Sequence, residues 1–168
     1  MSNNISLYIA AYNAERTIEK SIKSILQQTL KPKEIIVIND CSTDKTLSLL
    51  KKFNQIKIIN NKKNYGLAKS RNIALKYSKY DLLASIDSDV ICKKNWLETL
   101  FNTMVKKKAD LIGGKLIDKY IKEPANHWRS YYLKQNWGDK QINNPQFIFG
   151  ANFLLNKKKI KNLNIKYN

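Results

Sequence analysis

Short apolar runs alternate with helically spaced apolar positions from Ile5 to Leu116. Ile5-Ser-Leu-Tyr-Ile-Ala10 reads as a buried strand, and Ile18, Ile22, Ile25 and Leu26 then recur at the spacing of one helix face. Pro32 closes the loop before Glu34-Ile-Ile-Val-Ile38, which is apolar on both faces, as central parallel strands are. Ser42-Thr43-Asp44 supplies helix-start chemistry for a segment carrying Leu47, Leu50 and Phe53, and Ile56 to Ile59 is the next strand. Gly66 to Ser78 predicts a third helix and Leu82 to Asp87 a fourth strand. Trp96, Leu97, Leu100, Phe101 and Met104 mark the inner face of a fourth helix, and Ala109 to Leu116 predicts a fifth strand. Past Ile117 the rhythm stops. Tyr120 to Ile142 is aromatic and polar without a period, and Pro145 precedes a further apolar stretch, Phe147 to Leu155.

This alternation predicts an α/β fold: a mostly parallel central sheet with helices on both faces, joined by right-handed crossovers. In such Rossmann-like sheets, ligands bind outside the carboxyl ends of the strands. No internal repeat or low-complexity linker divides the chain, so a single domain over residues 1–168 is expected.

Composition narrows the class. With 43% hydrophobic residues, 168 residues can bury a core of their own. No apolar run reaches the roughly 18 residues of a membrane span, and Met1-Ser2-Asn3-Asn4 lacks the basic-then-apolar pattern of a signal peptide. A cytoplasmic protein is therefore expected. Cys41 and Cys92 are isolated, which supports neither a zinc site nor a disulfide framework. The formal charge of +18 has two readings. Clustered cations attract nucleic acid or an anionic membrane surface. Almost all of these cations are lysine, however, with only Arg16, Arg71 and Arg129 as arginines, and Asn and Ile are also abundant. All three residue types have A/T-rich codons, so genome bias explains much of the charge. The runs Lys106-Lys107-Lys108 and Lys157-Lys158-Lys159 are expected to be solvated ends of elements.

The chemistry gathers at one edge. Ala11-Tyr12-Asn13 follows the first strand, Asn39-Asp40-Cys41-Ser42-Thr43-Asp44 the second, Asn64-Tyr65-Gly66 the third, and Asp87-Ser88-Asp89 ends the fourth. Ser42 and Asp44 read equally as helix caps. Asp40, Asp87 and Asp89 do not, because they directly end apolar strands and a buried carboxylate needs a cation or donors. Side chains two apart on a strand point the same way, ~6.6 Å apart along the chain, so Asp87 and Asp89 face one cleft. Oxygen ligands without His or Cys favour Mg²⁺ or Mn²⁺, which keep waters and substrate phosphates in their shell.

These four ordered motifs, with Leu67-Ala68-Lys69-Ser70-Arg71-Asn72 extending the third, resemble the nucleotide-sugar-binding half of family 2 glycosyltransferases of the A-type fold. The likeness runs from about Ile5 to Phe153. It implies that residues 1–116 form the nucleotide-binding half and residues 117–168 a partial acceptor-side region. By the same resemblance, the segment Ala11, Tyr12 and Asn13 lies beside the nucleotide base, and Asp40 hydrogen-bonds that base. Arg71 lies near base or phosphates, Asp87 meets the ribose with Ser88 beside it, and Asp89 ligates the metal. Gly150-Ala151-Asn152 is similar to the family's stretch near donor sugar and acceptor. The implied reaction is metal-dependent, inverting transfer from a nucleotide diphosphate sugar, UDP-sugar first, to a saccharide or lipid-linked acceptor.

Two departures stand out. Cys41 replaces a common glycine, which strains the loop if it needs positive φ. No Glu-Asp pair supplying the acceptor-deprotonating base follows the Gly-Ala-Asn stretch, so a truncated catalytic domain is expected, able to bind donor and metal but weak in transfer. Asp118, Glu123 and Asp139 are the remaining candidates for the base, and their spacing favours none. His127 reads as a surface or packing residue, and Trp137 with Asp139 borders an acceptor sugar or anchors a loop. Leu163, Ile165 and Tyr167 would leave apolar surface for self-association. A peripheral position at the inner membrane face suits a lipid-linked acceptor. The competing class is a basic, non-catalytic module for nucleic acid or anionic membrane, which lacks a nucleic-acid motif and an aromatic stacking platform.

Overall fold

A computed structural model describes residues 2–117, 138 and 140–160. Six strands, β1 (Ile5–Ala11), β2 (Glu34–Asn39), β3 (Lys57–Asn60), β4 (Leu82–Asp87), β5 (Leu111–Gly113) and β6 (Asn152–Asn156), form one sheet in the order β3-β2-β1-β4-β6-β5. Between them run α1 (Ile18–Leu26), α2 (Thr46–Leu50), α3 (Leu67–Tyr77) and α4 (Trp96–Lys107), and α5 (Lys157–Ile160) follows β6. The four strands from β3 to β4 are mutually parallel, as their apolar character on both faces requires.

The far side of the sheet departs from the simple alternation. The strand expected over Ala109 to Leu116 shortens to Leu111–Gly113 and does not lie beside β4. The apolar stretch near the end of the chain takes that place: β6 pairs antiparallel with β4, Ile86 opposite Asn152, and β5 pairs antiparallel with β6. All five β6 residues are buried, whereas Leu111 and Gly113 are exposed, so burial decides which segment takes the inner position.

Strand alternation divides the core into two. Ile5, Leu7, Ile9 and Ala11 meet Ile18, Ile22 and Ile25 of α1, Leu50 of α2, and Leu97, Leu100 and Met104 of α4. Tyr8, Ile36, Ile38 and Leu83 pack on the opposite face with Ala74 of α3 and with Phe153 and Leu155 of β6. Helices therefore cover both faces, as expected.

Two local expectations change. Lys157 is not solvated: it is buried, and its Nζ donates to the Ser78 carbonyl at 2.8 Å and to Ser78 Oγ at 2.6 Å. It thus places a cation at the carboxyl end of α3, where carbonyls lack intrahelical partners. Ser42 does not cap α2 but accepts a hydrogen bond from the Asn13 amide at 3.0 Å. Asp44 does serve the helix start, its Oδ1 accepting from the Thr46 amide at 2.9 Å.

Candidate active site

The carboxyl edge is built from loops tied to one another. The loop after β1 is held against the one after β2: Asn13 Oδ1 accepts from the Thr43 amide at 2.9 Å, and the Ala14 amide donates to Thr46 Oγ1 at 2.8 Å. The Glu15 amide donates to Asp44 Oδ2 at 3.0 Å, and the Lys45 amide donates back to Glu15 at 2.9 Å. Two residues in these loops adopt left-handed backbone, Asn13 with φ +47° and Cys41 with φ +60°. Asparagine tolerates that region through its short polar side chain, but cysteine has no such compensation. The strain anticipated from the missing glycine is therefore present. Within this frame Ala11 packs in the core and offers only its carbonyl, which accepts from the Asp40 amide at 2.8 Å. The Tyr12 ring, by contrast, is 49% exposed.

Asp40 is only 4% exposed. Its Oδ1 accepts from Asn61 Nδ2 at 2.6 Å and from the Tyr65 amide at 2.9 Å, while Oδ2 accepts from the Gly66 amide at 2.8 Å. A carboxylate has about four acceptor positions, so one stays open on Oδ2. Asp40 thereby fixes the turn that starts α3, at which Gly66 takes φ +83°. Asn61 also donates to Ser70 Oγ at 3.2 Å, locking the first turn of that helix to the same carboxylate. Lys69 lies over the Tyr65 ring at 4.1 Å, adding positive charge to this rim.

One residue past Ser70 on α3, Arg71 reaches across to β4. Its Nη2 donates to Asp87 Oδ1 at 3.2 Å, with the arginine side chain 15% and the carboxylate 35% exposed. Burial pushes the Asp87 carboxyl above its ordinary proton affinity; the Arg71 guanidinium opposes that push and the charge of Asp89 adds to it. The chain then turns, the Val90 amide donating to the Asp87 carbonyl at 3.1 Å. This turn leaves Ser88 half-buried and Asp89 exposed. Among the described residues, no group of three or more His, Cys, Asp or Glu side chains gathers in a metal-holding cluster. Any cation here would therefore take one or two carboxylates from the protein and its other ligands from elsewhere, which is the habit of Mg²⁺ and Mn²⁺. The donor set fits such an ion.

Residues 6–163 match the sequence profile described as Glycosyl transferase family 2. The chain belongs to that family. Across 132 residues it is 44% identical to an uncharacterized glycosyltransferase of Haemophilus influenzae, covering 76% of this chain and 41% of that protein. It is 38% identical over 112 residues to the Escherichia coli UDP-Glc:alpha-D-GlcNAc-diphosphoundecaprenol beta-1,3-glucosyltransferase WfgD, covering 66% of this chain and 44% of the relative. The chain thus spans less than half the length of either. Among solved structures, S. aureus TarS 1-349 in complex with UDP-GlcNAc superposes with a TM-score of 0.74 at 21% identity, covering 98% of this chain and 48% of that one. The mannosyltransferase PcManGT of Pyrobaculum calidifontis, in complex with GDP-Man and Mn²⁺, superposes with a TM-score of 0.71 at 16% identity, over 96% of this chain and 46% of its own. At these identities the likeness shows the fold, that of the A-type glycosyltransferases.

In this family 2 chain, the structure brings Tyr12, Asp40, Arg71, Asp87, Ser88 and Asp89 to one edge of the sheet. Asn13 lies at the same edge with its Oδ1 bonded to the Thr43 amide, and Ala11 ends β1 there with its side chain in the core. Asp118, Glu123, His127, Trp137 and Asp139 lie outside the described residues. Asn152 is buried, its Oδ1 accepting from Trp96 Nε1 at 2.6 Å and its Nδ2 donating to the Lys115 carbonyl at 3.2 Å. Gly114 packs so closely on it that a β-carbon there would come within 2.4 Å of Asn152 Oδ1, so glycine at this position permits a close backbone approach. Asn61 escaped the sequence reading. Its signal was faint, one member of the polar run Asn60-Asn61-Lys62-Lys63-Asn64 just past an apolar strand.

Proposed function

We propose that this chain binds a nucleotide diphosphate sugar, UDP-sugar first, at the carboxyl edge of its sheet, as the donor half of a metal-dependent, inverting glycosyltransferase. The observation that carries this reading is the meeting of Arg71, Asp87 and Asp89 at the end of β4 in a family 2 chain. The exposed Tyr12 ring offers a face for the base, and the open acceptor position on Asp40 Oδ2 suits a ring N–H. Arg71, held beside Asp87 with its charge at this edge, suits the base or phosphate side of the nucleotide. Asp87 accepts from ribose hydroxyls, with Ser88 next to it. Asp89, exposed and one turn beyond, is the ligand for Mn²⁺ or Mg²⁺. The bound ion would neutralise charge developing on the departing diphosphate. The name of the WfgD relative supports a lipid-linked saccharide as the acceptor class.

The test is titration of UDP with and without Mn²⁺. Mn²⁺ should tighten UDP binding on the native chain about tenfold or more, and Asp89→Ala should abolish that gain while leaving metal-free binding intact. An unchanged Mn²⁺ effect in Asp89→Ala removes the metal assignment. Steeply salt-dependent DNA binding with no response to UDP would replace the whole reading.

A further inference from the structure

We infer that Gly150 is a positioning residue for the donor site: its missing side chain makes the space in which the Arg71 guanidinium lies against the backbone and reaches Asp87. A β-carbon built on Gly150 would stand 2.5 Å from Arg71 Nη1 and 2.7 Å from both Cζ and Nη2. These are the three atoms nearest that β-carbon, and all belong to the guanidinium. The same guanidinium holds Asp87 at 3.2 Å through Nη2. Gly150 is itself fixed, since its carbonyl accepts from Ser85 Oγ at 3.1 Å, two residues before Asp87 on β4. Its φ lies outside the left-handed region, so glycine is not required there by backbone conformation. What glycine provides is room.

The consequence is selective. A methyl group at position 150 meets the far end of a flexible side chain, so the fold absorbs it by moving Arg71. The guanidinium then leaves the place from which it pairs with Asp87 and meets the donor. A planar five-donor group depends on its angle of approach, so displacement without loss of charge still removes its directed hydrogen bonds. Gly150 directly precedes the segment that enters β6, while Arg71 lies on α3, so this contact ties the two halves of the sheet together at the site.

This inference rests on the proposed donor site, and the experiment separates the two. Metal-free UDP affinity is measured by calorimetry for the 168-residue chain, Gly150→Ala, Arg71→Ala and the double variant. Gly150→Ala should weaken UDP about tenfold with the thermal midpoint within about 2 °C of the parent. The double variant should bind no more weakly than Arg71→Ala alone, because the methyl group then has nothing to displace. Additive weakening overturns the inference, as does unaltered affinity in Gly150→Ala. Should Gly150→Ala fail to fold, recovery of folding in the double variant supports the contact and its absence overturns it. If the parent chain does not bind UDP, the donor-site reading fails by itself, and Gly150 is judged by the ¹⁵N resonances of the Arg71 guanidinium. Distinct, restrained signals that average in Gly150→Ala support the positioning role; identical spectra overturn it.

Discussion

The two ends of the sheet use the same kinds of residue for opposite purposes. At the amino end, Glu34 Oε2 accepts from Ser6 Oγ at 2.6 Å and from the Lys79 amide at 2.8 Å, and Ser6 Oγ accepts from the Tyr80 amide at 3.1 Å. Lys157 closes this end against Ser78. These polar groups saturate one another, as buried polar groups in a stable scaffold do. At the carboxyl end, Asp87 keeps one ion pair and stays partly open, and the Asp89 carboxylate has no hydrogen-bond partner in the protein among the described residues. Polar residues alone do not mark a site. What marks it is bonding capacity that the protein leaves for something else.

Asp40 offers the strongest way to break that contrast, because it lies at the carboxyl end yet spends most of its acceptor capacity within the protein. Asp40→Ala removes three hydrogen bonds and takes from the Tyr65 amide its acceptor, while the Gly66 amide keeps Asn64 Oδ1 and Asn61 Nδ2 keeps Ser70 Oγ. It should lower unfolding free energy by about 3 kcal/mol in urea titrations and abolish UDP binding through loss of the turn before α3. A stability change below about 0.5 kcal/mol would show that the turn does not depend on Asp40 and leave it a ligand-facing role alone. Next in size, Lys157→Met should destabilise by about 2 kcal/mol, since it leaves Ser78 groups buried without their donor, and UDP affinity should not move. A fall in affinity would show that the two ends are coupled. Cys41→Gly should act in the other direction, raising stability by up to about 1 kcal/mol through relief of its left-handed backbone, again with UDP affinity preserved.

The smallest effect is expected at Asp44. Burial by itself would raise its proton affinity, but hydrogen bonds from Thr46 and Glu15 outweigh it and hold the carboxyl below its ordinary value. A carboxylate held low stabilises the fold above its unfolded value and loses that contribution as pH falls through the native one. Urea midpoints of the parent and Asp44→Asn should therefore differ at about pH 6 and converge towards about pH 3. A gap that persists in acid would show that Asp44 acts through shape instead of charge.

The parallel strands were legible because burial on both faces writes an uninterrupted apolar run, as in Ile35 to Ile38. The edge carrying the site was legible for a related reason: Asp40 and Asp87 interrupt such runs abruptly. Three things could not be read this way. The place of β6 depends on pairing with residues some seventy positions earlier, and an apolar run does not state its partner. The structural share of Asp40 was hidden because its bonds to the amides of Tyr65 and Gly66 connect positions far apart in sequence. Lys157 sat in a run of three lysines whose members share one composition, while the fold buries it and leaves Lys158 and Lys159 exposed.

The insertion of β6 between β4 and β5 also sets an order of events during synthesis. Until residues 152–156 leave the ribosome, β4 has β1 on one side and nothing on the other, although Leu82 to Ile86 are all destined for burial. Such an open apolar strand is a template for pairing with other chains. Contacts this distant in sequence also form slowly, because the long intervening loop must close first. The strand that presents Asp87 is thus both the centre of the finished sheet and the exposed edge of the nascent one, and the interval between those two states is when the chain is most exposed to aggregation.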